Sequence, residues 1–428
     1  MKIKALNITN FFWAFLFFQL FAILTFLATR NESSIEFDNY LQVVKYSTLI
    51  LLIFSLWISF NDRRSVFKYD LLKYIFVLQI VILYLTMIIH TDIKAINSPT
   101  IVLMLVLSLI LFSQKISSKS INLISIVISY INFAIVLLQV SNVIPVAQDN
   151  IREGFDLITD RPTGLLFNAF AMGYASVITF SIAAFFIKEK KYVILNLLAV
   201  IFSIGSIILS VTRTPLILIA ISTFLILFQS STMFRKRWKF ITISLPVLLI
   251  ALPIVSVLVG NSNGNQDMAT LNGRTFLWNC VASKWDQFIP FGVGVQGAFP
   301  QGFCSDDEWF SKLRHPENMF LLNFVESGIL GFVGLVLLFV VTFYYSGKSL
   351  QKGSALPIAI TSTFLLSSIF YVPLFHYLPF LENRTADRGV FNFFLFTLLW
   401  MAVLKLFKSE TTQQKAKISK LNQLNTTY

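Results

Sequence analysis

Long apolar blocks separated by short polar segments constrain this chain more than any other feature. The blocks run to about 17–25 residues, the length that a helix rising 1.5 Å per residue needs to cross a hydrocarbon core about 30 Å thick. Of the 428 residues, 56% are hydrophobic, 13% are charged and 45 are phenylalanine. A soluble core does not need this much apolar surface, so the sequence predicts an all-α polytopic membrane protein. The first block is not interpreted as a cleaved signal peptide, because similar blocks follow it.

The pattern predicts about twelve transmembrane helices in one integral membrane domain covering residues 1–428. The expected spans are 10–29, 41–60, 71–90, 100–113, 120–140, 164–187, 192–210, 215–232, 240–260, 318–345, 355–375 and 390–406, with ends uncertain by about 2–4 residues. Two long loops are predicted, at 141–163 and, between spans 9 and 10, at 261–317. Residues 407–428 have the composition of a solvated tail.

The distribution of Lys and Arg predicts the orientation, because positively charged loops stay in the cytoplasm. With the N-terminus inside, inner segments hold 22 of the 34 Lys and Arg, and most of the 21 acidic residues fall outside. Both termini are therefore expected in the cytoplasm and both long loops in the periplasm. The net charge of +13 reflects this topology, and no nucleic-acid partner is expected, since no basic domain stands apart from the membrane.

The predicted loop 261–317 contains both cysteines of the chain, Cys280 and Cys304. An oxidising exterior permits a disulfide between them, and two free thiols are the alternative. The loop mixes aromatic residues with Gly and Pro, which favours a folded cap with short helices at the membrane face. The inner loops have no nucleotide-binding motif, so any chemistry is expected on the outer face.

Charged residues at membrane depth are costly and are commonly functional. The candidates at or near the outer face are Arg213, Arg274, Arg314, His315, Glu317, Glu326, His376, Arg384 and Arg388. Ordinary alternatives exist for several of them. Arg213 could snorkel from a helix end, Arg274 could be a solvated loop residue, and Pro316 with Glu317 would start a helix in any case.

Two carboxylates near residue 320 have different expected roles. Glu326 lies eight or nine residues after Glu317, about 13 Å further along a continuous helix. Gly328, Gly331 and Gly334 permit close helix approach, so Glu326 is expected to be a packing residue and Glu317 the functional candidate. The acidic run at 306–308 could hold a divalent cation, but such runs are commonly solvated, and no metal site is expected.

Three fragments occur in order: SVTRTPL at 210–216, NGRTFLW at 272–278 followed by PFGVGVQGAF at 290–299, and HPENMFLLNFVESGILG at 315–331. Together with RPTGLLFNAFAMG at 161–173, they resemble the O-antigen ligase and O-antigen polymerase superfamily of bacterial membrane glycosyltransferases. The resemblance implies a GT-C-like fold of about twelve helices with a large periplasmic loop. It also implies sugar chains on undecaprenyl pyrophosphate as substrates, and no metal or other cofactor.

The resemblance assigns roles to particular residues. Arg213 and Arg274 match arginines that bind the pyrophosphate. Ligases of the superfamily carry His-x-His-Asn in the last motif, where the second His is the base. Here His315 matches the first His and Asn318 matches the Asn, while Glu317 occupies the position of the second His. Further expected contacts to phosphate or sugar are Arg161, Arg314, Asn318, Arg384 and Arg388.

This departure at Glu317 favours a polysaccharide polymerase of the bacterial inner membrane. Lipid-linked oligosaccharide, lipid-linked polysaccharide, the bilayer and a chain-length regulator are the expected partners. The alternatives are an O-antigen ligase that acts on lipid A-core, and a flippase for lipid-linked oligosaccharides, which needs no long outer loop. A transporter of small solutes is a further alternative, although no inverted repeat is visible.

Overall fold

The computed structural model describes residues 71–90, 117–143, 162–164, 169–210, 212, 214–262, 274–294, 318–370, 396–397 and 399–407. All regular structure within these residues is helical. The helices are α1 (Leu71–Ile89), α2 (Ser118–Val140), α3 (Ala169–Lys188), α4 (Val193–Leu209), α5 (Thr214–Phe228), α6 (Thr232–Lys236), α7 (Trp238–Ser262), α8 (Arg274–Ser283), a 3-10 helix (Trp285–Phe288), α9 (Met319–Gln351) and α10 (Leu356–Phe370). Residues 396–397 and 399–407 are also helical.

Three of these helices, α2, α3 and α9, are long and apolar enough to cross a membrane. Shorter apolar helices occupy the positions of other predicted spans, at α1, α4, α5, α7 and α10. The predicted spans at 10–29, 41–60 and 100–113 lie outside the described residues. The all-α membrane architecture is therefore confirmed for the part of the chain that is described, and the number of twelve spans stays a prediction.

The centre of the bundle is formed by α3 and α10, which pack against each other. Helix α3 also contacts α2, α4 and α5, whereas α10 also contacts α5, α7 and α9. Most side chains of α3 are buried. Helix α4, in contrast, exposes a row of aliphatic residues, among them Ile194 at 75% exposure. This is the pattern of a helix with one face towards lipid, since exposed apolar surface carries no penalty there.

Hydroxyl groups join the packed helices in the interior. The Ser203 hydroxyl on α4 lies 3.1 Å from that of Ser129 on α2 and 2.9 Å from that of Thr179 on α3. On α10, the Thr361 hydroxyl accepts a hydrogen bond of 2.9 Å from the indole nitrogen of Trp400. Such bonds between membrane helices contribute about 0.6 kcal/mol each on average, so they fix the relative positions of helices that apolar packing alone would leave free to rotate.

One end of the bundle is closed by contacts between loops and helix ends. The Lys188 ammonium donates to the carbonyl oxygens of Ile226 at 2.8 Å and Leu227 at 2.6 Å, in the last turn of α5. A cation is favourable there because the unpaired carbonyls carry negative partial charge. The Gln229 side chain accepts from the backbone N–H of Ala355 at 2.9 Å and so ties the end of α5 to the start of α10.

Candidate active site

Helix α9 is a helical hairpin rather than a continuous span. Its backbone leaves helical geometry at Gly328, with φ 63° and ψ −153°. The rings of Phe320 and Phe339 lie 5.6 Å apart, whereas 19 residues of straight helix would separate them by about 28 Å. Residues 319–327, the N-terminal arm, therefore fold back along residues 329–351, the C-terminal arm. The expectation of one continuous span at 318–345 is wrong in this respect, because Gly328 reverses the chain.

Asn318 begins the N-terminal arm. Its side-chain oxygen accepts hydrogen bonds from the backbone N–H groups of Phe320 at 3.0 Å and Leu321 at 3.1 Å, and only 8% of the residue is exposed. This is the geometry of an N-cap, in which a side chain satisfies amide groups that have no partner within the helix. The side-chain oxygen of Asn318 thus has a structural role, and substrate contact through its amide nitrogen stays a prediction.

The break in α9 is closed by the segment Pro290–Gly294, which we call the clamp loop. The Val293 N–H donates to the Val325 carbonyl at 2.8 Å, and the Gly294 N–H donates to the Glu326 carbonyl at 3.1 Å. On the other side of the break, the Ile329 N–H donates to the Pro290 carbonyl at 3.2 Å. The clamp loop therefore satisfies backbone groups on both arms that would lack helical partners at the break.

Two glycines permit this close approach. A Cβ atom on Gly328 would collide with the carbonyl of Pro290, and one on Gly292 would collide with the carbonyl of Glu326. Both residues also have positive φ, which side chains disfavour. The fragments PFGVG and VESGILG, 30 residues apart in sequence, thus form a single structural unit.

Helix α8, which begins at Arg274, packs on the N-terminal arm. Val281 of α8, Phe288 and Val325 form a buried apolar cluster, with Trp278, Leu321 and Phe324 partly buried beside it. Cys280 on α8 is buried and disulfide-bonded. Its predicted partner Cys304 lies outside the described residues. The described start of the long loop thus contains short helices, namely α8 and the 3-10 helix. Arg274 is the first residue of α8, the helix that contacts the hairpin.

Helix α1 supports the same unit from another side. The Gln79 amide nitrogen donates to the side-chain oxygen of Asn323 at 2.9 Å and to the Gly331 carbonyl at 3.3 Å, so one side chain joins both arms. At the end of α1, the Nε2 atom of His90 lies 3.3 Å from the Phe291 carbonyl of the clamp loop. Sequence reasoning missed Gln79 and Asn323. Both residues could have been identified as polar amides within apolar helices.

Glu326 is 2% exposed and lies two residues before the break. Asn318 and Glu326 lie on the same helical arm, because the chain reverses only at Gly328, and the expected distance of Glu326 from Glu317 stays a prediction. The Glu326 backbone carbonyl accepts from the clamp loop, as described above. This placement agrees with a role in holding the hairpin and gives Glu326 no contact with solvent, as expected of a packing residue.

A second group of motif residues surrounds α3. The Gln139 side chain of α2 accepts from the N–H groups of Thr163 and Gly164, both at 2.9 Å, and donates to the Thr163 hydroxyl at 3.2 Å. A Cβ on Gly173 of α3 would lie 2.6 Å from the Thr212 hydroxyl and 2.8 Å from Pro215. The fragments RPTGLLFNAFAMG and SVTRTPL therefore meet at α3.

Most predicted site residues lie outside the described residues, so their roles stay predictions: Arg161, Arg213, Arg314, His315, Glu317, Arg384 and Arg388. For three of them, adjacent residues are described. Thr212 and Thr214 flank Arg213, Pro162 follows Arg161, and Asn318 follows Glu317.

Residues 198–336 match the family model described as O-antigen ligase. No curated protein matches the chain. The matched region begins in α4, contains α5, α7, α8 and the clamp loop, and ends in the C-terminal arm of α9, just after the hairpin. The resemblance to the O-antigen ligase and polymerase superfamily is confirmed over this region. This superfamily consists of membrane enzymes of the glycosyl-transfer type, and its match does not distinguish polymerase from ligase.

Proposed function

We propose that this protein is an O-antigen polysaccharide polymerase of the bacterial inner membrane. It would transfer a growing chain from undecaprenyl pyrophosphate onto an incoming lipid-linked repeat unit at the periplasmic face. The observation that carries the proposal is the family match over residues 198–336, which contains SVTRTPL, NGRTFLW, PFGVGVQGAF and HPEN in one stretch. The clamp loop and the hairpin support it, because Pro290–Gly294 of the third fragment bonds to the helix that Asn318 of HPEN begins.

Glu317 acts as the general base in this proposal. Its carboxylate accepts the proton of the terminal sugar hydroxyl of the incoming unit, while that oxygen attacks the anomeric carbon of the donor chain. The bond from the anomeric carbon to the pyrophosphate oxygen breaks, and undecaprenyl pyrophosphate leaves with the electron pair. Attack from the opposite side of the leaving group inverts the anomeric configuration, as the resemblance implies. His315 and the amide of Asn318 orient the carboxylate.

Arg213 and Arg274 stabilise the charge that develops on the leaving pyrophosphate. A guanidinium binds two phosphate oxygens at once and stays charged at physiological pH, so this pair can supply charge stabilisation without a metal ion. The position of Arg274 at the start of α8 supports this role, since α8 packs directly on the N-terminal arm that Asn318 begins. Arg161, Arg314, Arg384 and Arg388 are proposed as further contacts to phosphate or sugar.

The polymerase is preferred to the ligase because Glu317 stands where the resembling ligases carry their basic His. A ligase acting on lipid A-core is the second candidate, and the family match supports it equally. A flippase is a weaker candidate, since it explains neither the match nor the long loop. The chain-length regulator expected as a partner has no support in the family match.

Deletion of the gene followed by lipopolysaccharide electrophoresis tests the proposal. Loss of a polymerase leaves lipid A-core with a single repeat unit. Loss of a ligase leaves lipid A-core with no repeat while lipid-linked polymer persists, and loss of a flippase strands repeat units on the inner side. An unchanged ladder of chain lengths would contradict all three assignments.

A further inference from the structure

An apolar groove of about 520 Å³ lies between α7 and the C-terminal arm of α9. Its α7 wall extends from Trp238 to Ile250, about 18 Å along the helix axis. Ile243 and Val340 line it from opposite sides and are 67% and 59% exposed. Apolar side chains this exposed on membrane helices face lipid, so the groove opens to the hydrocarbon region of the bilayer.

One end of the groove is cationic and aromatic. Lys239 and Trp238 line it from α7, and Tyr344 lines it from α9. The Lys348 ammonium lies 4.3 Å from the centre of the Tyr344 ring, and that of Lys239 lies 5.9 Å from the centre of the Trp238 ring. Trp and Tyr concentrate at the membrane–water interface, which identifies this end as the interfacial end.

No acidic residue balances these cations in the neighbouring sequence. Residues 235–262 and 329–351 contain no Asp or Glu. Lys236 and Arg237, which precede Trp238, are also exposed. The density of Lys and Arg identifies this end as cytoplasmic. The interfacial end therefore presents positive charge that no acidic residue of these two segments balances, beside a hydrocarbon-lined groove.

We propose that this groove binds an anionic phospholipid of the cytoplasmic leaflet. One acyl chain would lie between α7 and the C-terminal arm, with the headgroup phosphate beside Lys239 and Lys348. The length agrees, because one leaflet of a hydrocarbon core about 30 Å thick is about 15 Å deep, close to the length of the groove. Basic pockets between membrane helices on the cytoplasmic side are suited to anionic headgroups.

The other end of the groove reaches the N-terminal arm of α9. Phe320 lines the groove and follows the N-cap Asn318 by two residues on the N-terminal arm. The end of the acyl chain would therefore contact the arm that begins next to Glu317. A bound lipid would fill the space beside the arm and hold α7 against α9. This inference goes beyond the proposed function and does not depend on it.

Native mass spectrometry of the delipidated full-length protein tests the inference. Phosphatidylglycerol, phosphatidylethanolamine and a polyprenyl monophosphate are titrated separately in detergent. Phosphatidylglycerol is expected to bind more tightly than phosphatidylethanolamine. The double variant Lys239→Gln, Lys348→Gln is expected to lose about 25-fold in affinity for phosphatidylglycerol, about 5-fold for each charge. Ile243→Trp, which fills the groove, is expected to abolish that binding.

Two control variants carry the same changes elsewhere on the surface. The double variant Lys190→Gln, Lys191→Gln removes two exposed cations from the turn between α3 and α4, and Ile194→Trp adds an indole to the exposed face of α4. Both are expected to bind phosphatidylglycerol as the unmodified protein does. The proposal is overturned if the two phospholipids bind equally, or if groove and control variants lose equal affinity for phosphatidylglycerol. It is also overturned if an equimolar amount of polyprenyl monophosphate displaces phosphatidylglycerol from the groove.

Discussion

Replacement of Gly328 by Ala is expected to unfold the unit formed by the clamp loop and the hairpin. The φ of 63° and ψ of −153° at Gly328 lie in a region that is essentially restricted to glycine, and the strain of a side chain there costs about 1–3 kcal/mol. The added Cβ would also push the Pro290 carbonyl away. Three hydrogen bonds join the clamp loop to the arms, at about 1 kcal/mol each. The total expected loss is therefore about 4–6 kcal/mol.

Gly353→Ala is the matched control for this change. Gly353 has a φ of 92°, but a Cβ there would meet no atom closer than 3.6 Å, so only the backbone strain of about 1–2 kcal/mol applies. Free energies of unfolding are compared by denaturant titration of purified protein in mixed micelles, with tryptophan fluorescence as the signal. Hydrogen exchange at 290–294 reports on the clamp loop itself. If both variants lose equal stability and protection at 290–294 is unchanged, the described docking of the clamp loop is wrong.

Three further changes test other contacts of the candidate site. Gln79→Leu removes the two hydrogen bonds that join the arms and is expected to cost about 1–2 kcal/mol of unfolding free energy, with increased hydrogen exchange on both sides of Gly328. Gln139→Leu leaves the amides of Thr163 and Gly164 without their partner and is expected to cost about 2–3 kcal/mol, measured against Gln351→Leu, where the same change is made at an exposed side chain. Cys280→Ser removes the disulfide and is expected to destabilise the folded loop by about 3 kcal/mol. Limited proteolysis after α8 is therefore expected to become faster. If limited proteolysis of the unmodified protein is equally fast in reducing and oxidising buffer, this last expectation is contradicted.

The helical class and the positions of several helices could be predicted from the sequence, because apolar block length is a local property. The hairpin in α9 could not be predicted from the sequence. Residues 318–345 read as one uninterrupted apolar span, and Gly328 reads as one of several glycines that permit close packing. The reversal depends on the clamp loop, which is more than 30 residues away and satisfies the backbone groups that the break exposes.

The motifs themselves could be found from the sequence, but their mutual contacts could not. The Gln79–Asn323 bond joins residues 244 positions apart, and no periodicity encodes such a pair. Asn318 illustrates the difference in another way. Its place in HPEN suggested a substrate contact, whereas its side-chain oxygen caps a helix. The signal for Gln79 and Gln139 was available, since a buried amide in an apolar helix needs a partner.

The central claim is that Glu317 removes a proton from the acceptor sugar on an undecaprenyl pyrophosphate-linked repeat. The most direct measurement is the initial rate of chain growth by purified protein with synthetic lipid-linked repeat units, comparing the unmodified protein with Glu317→Gln. For Glu317→Gln we expect a rate loss of about 10²–10⁴-fold with unchanged thermal stability. The polymer made by the unmodified protein is expected to stay linked to the lipid. An unaltered rate in Glu317→Gln, or transfer of sugar to lipid A-core without chain growth, would contradict the central claim.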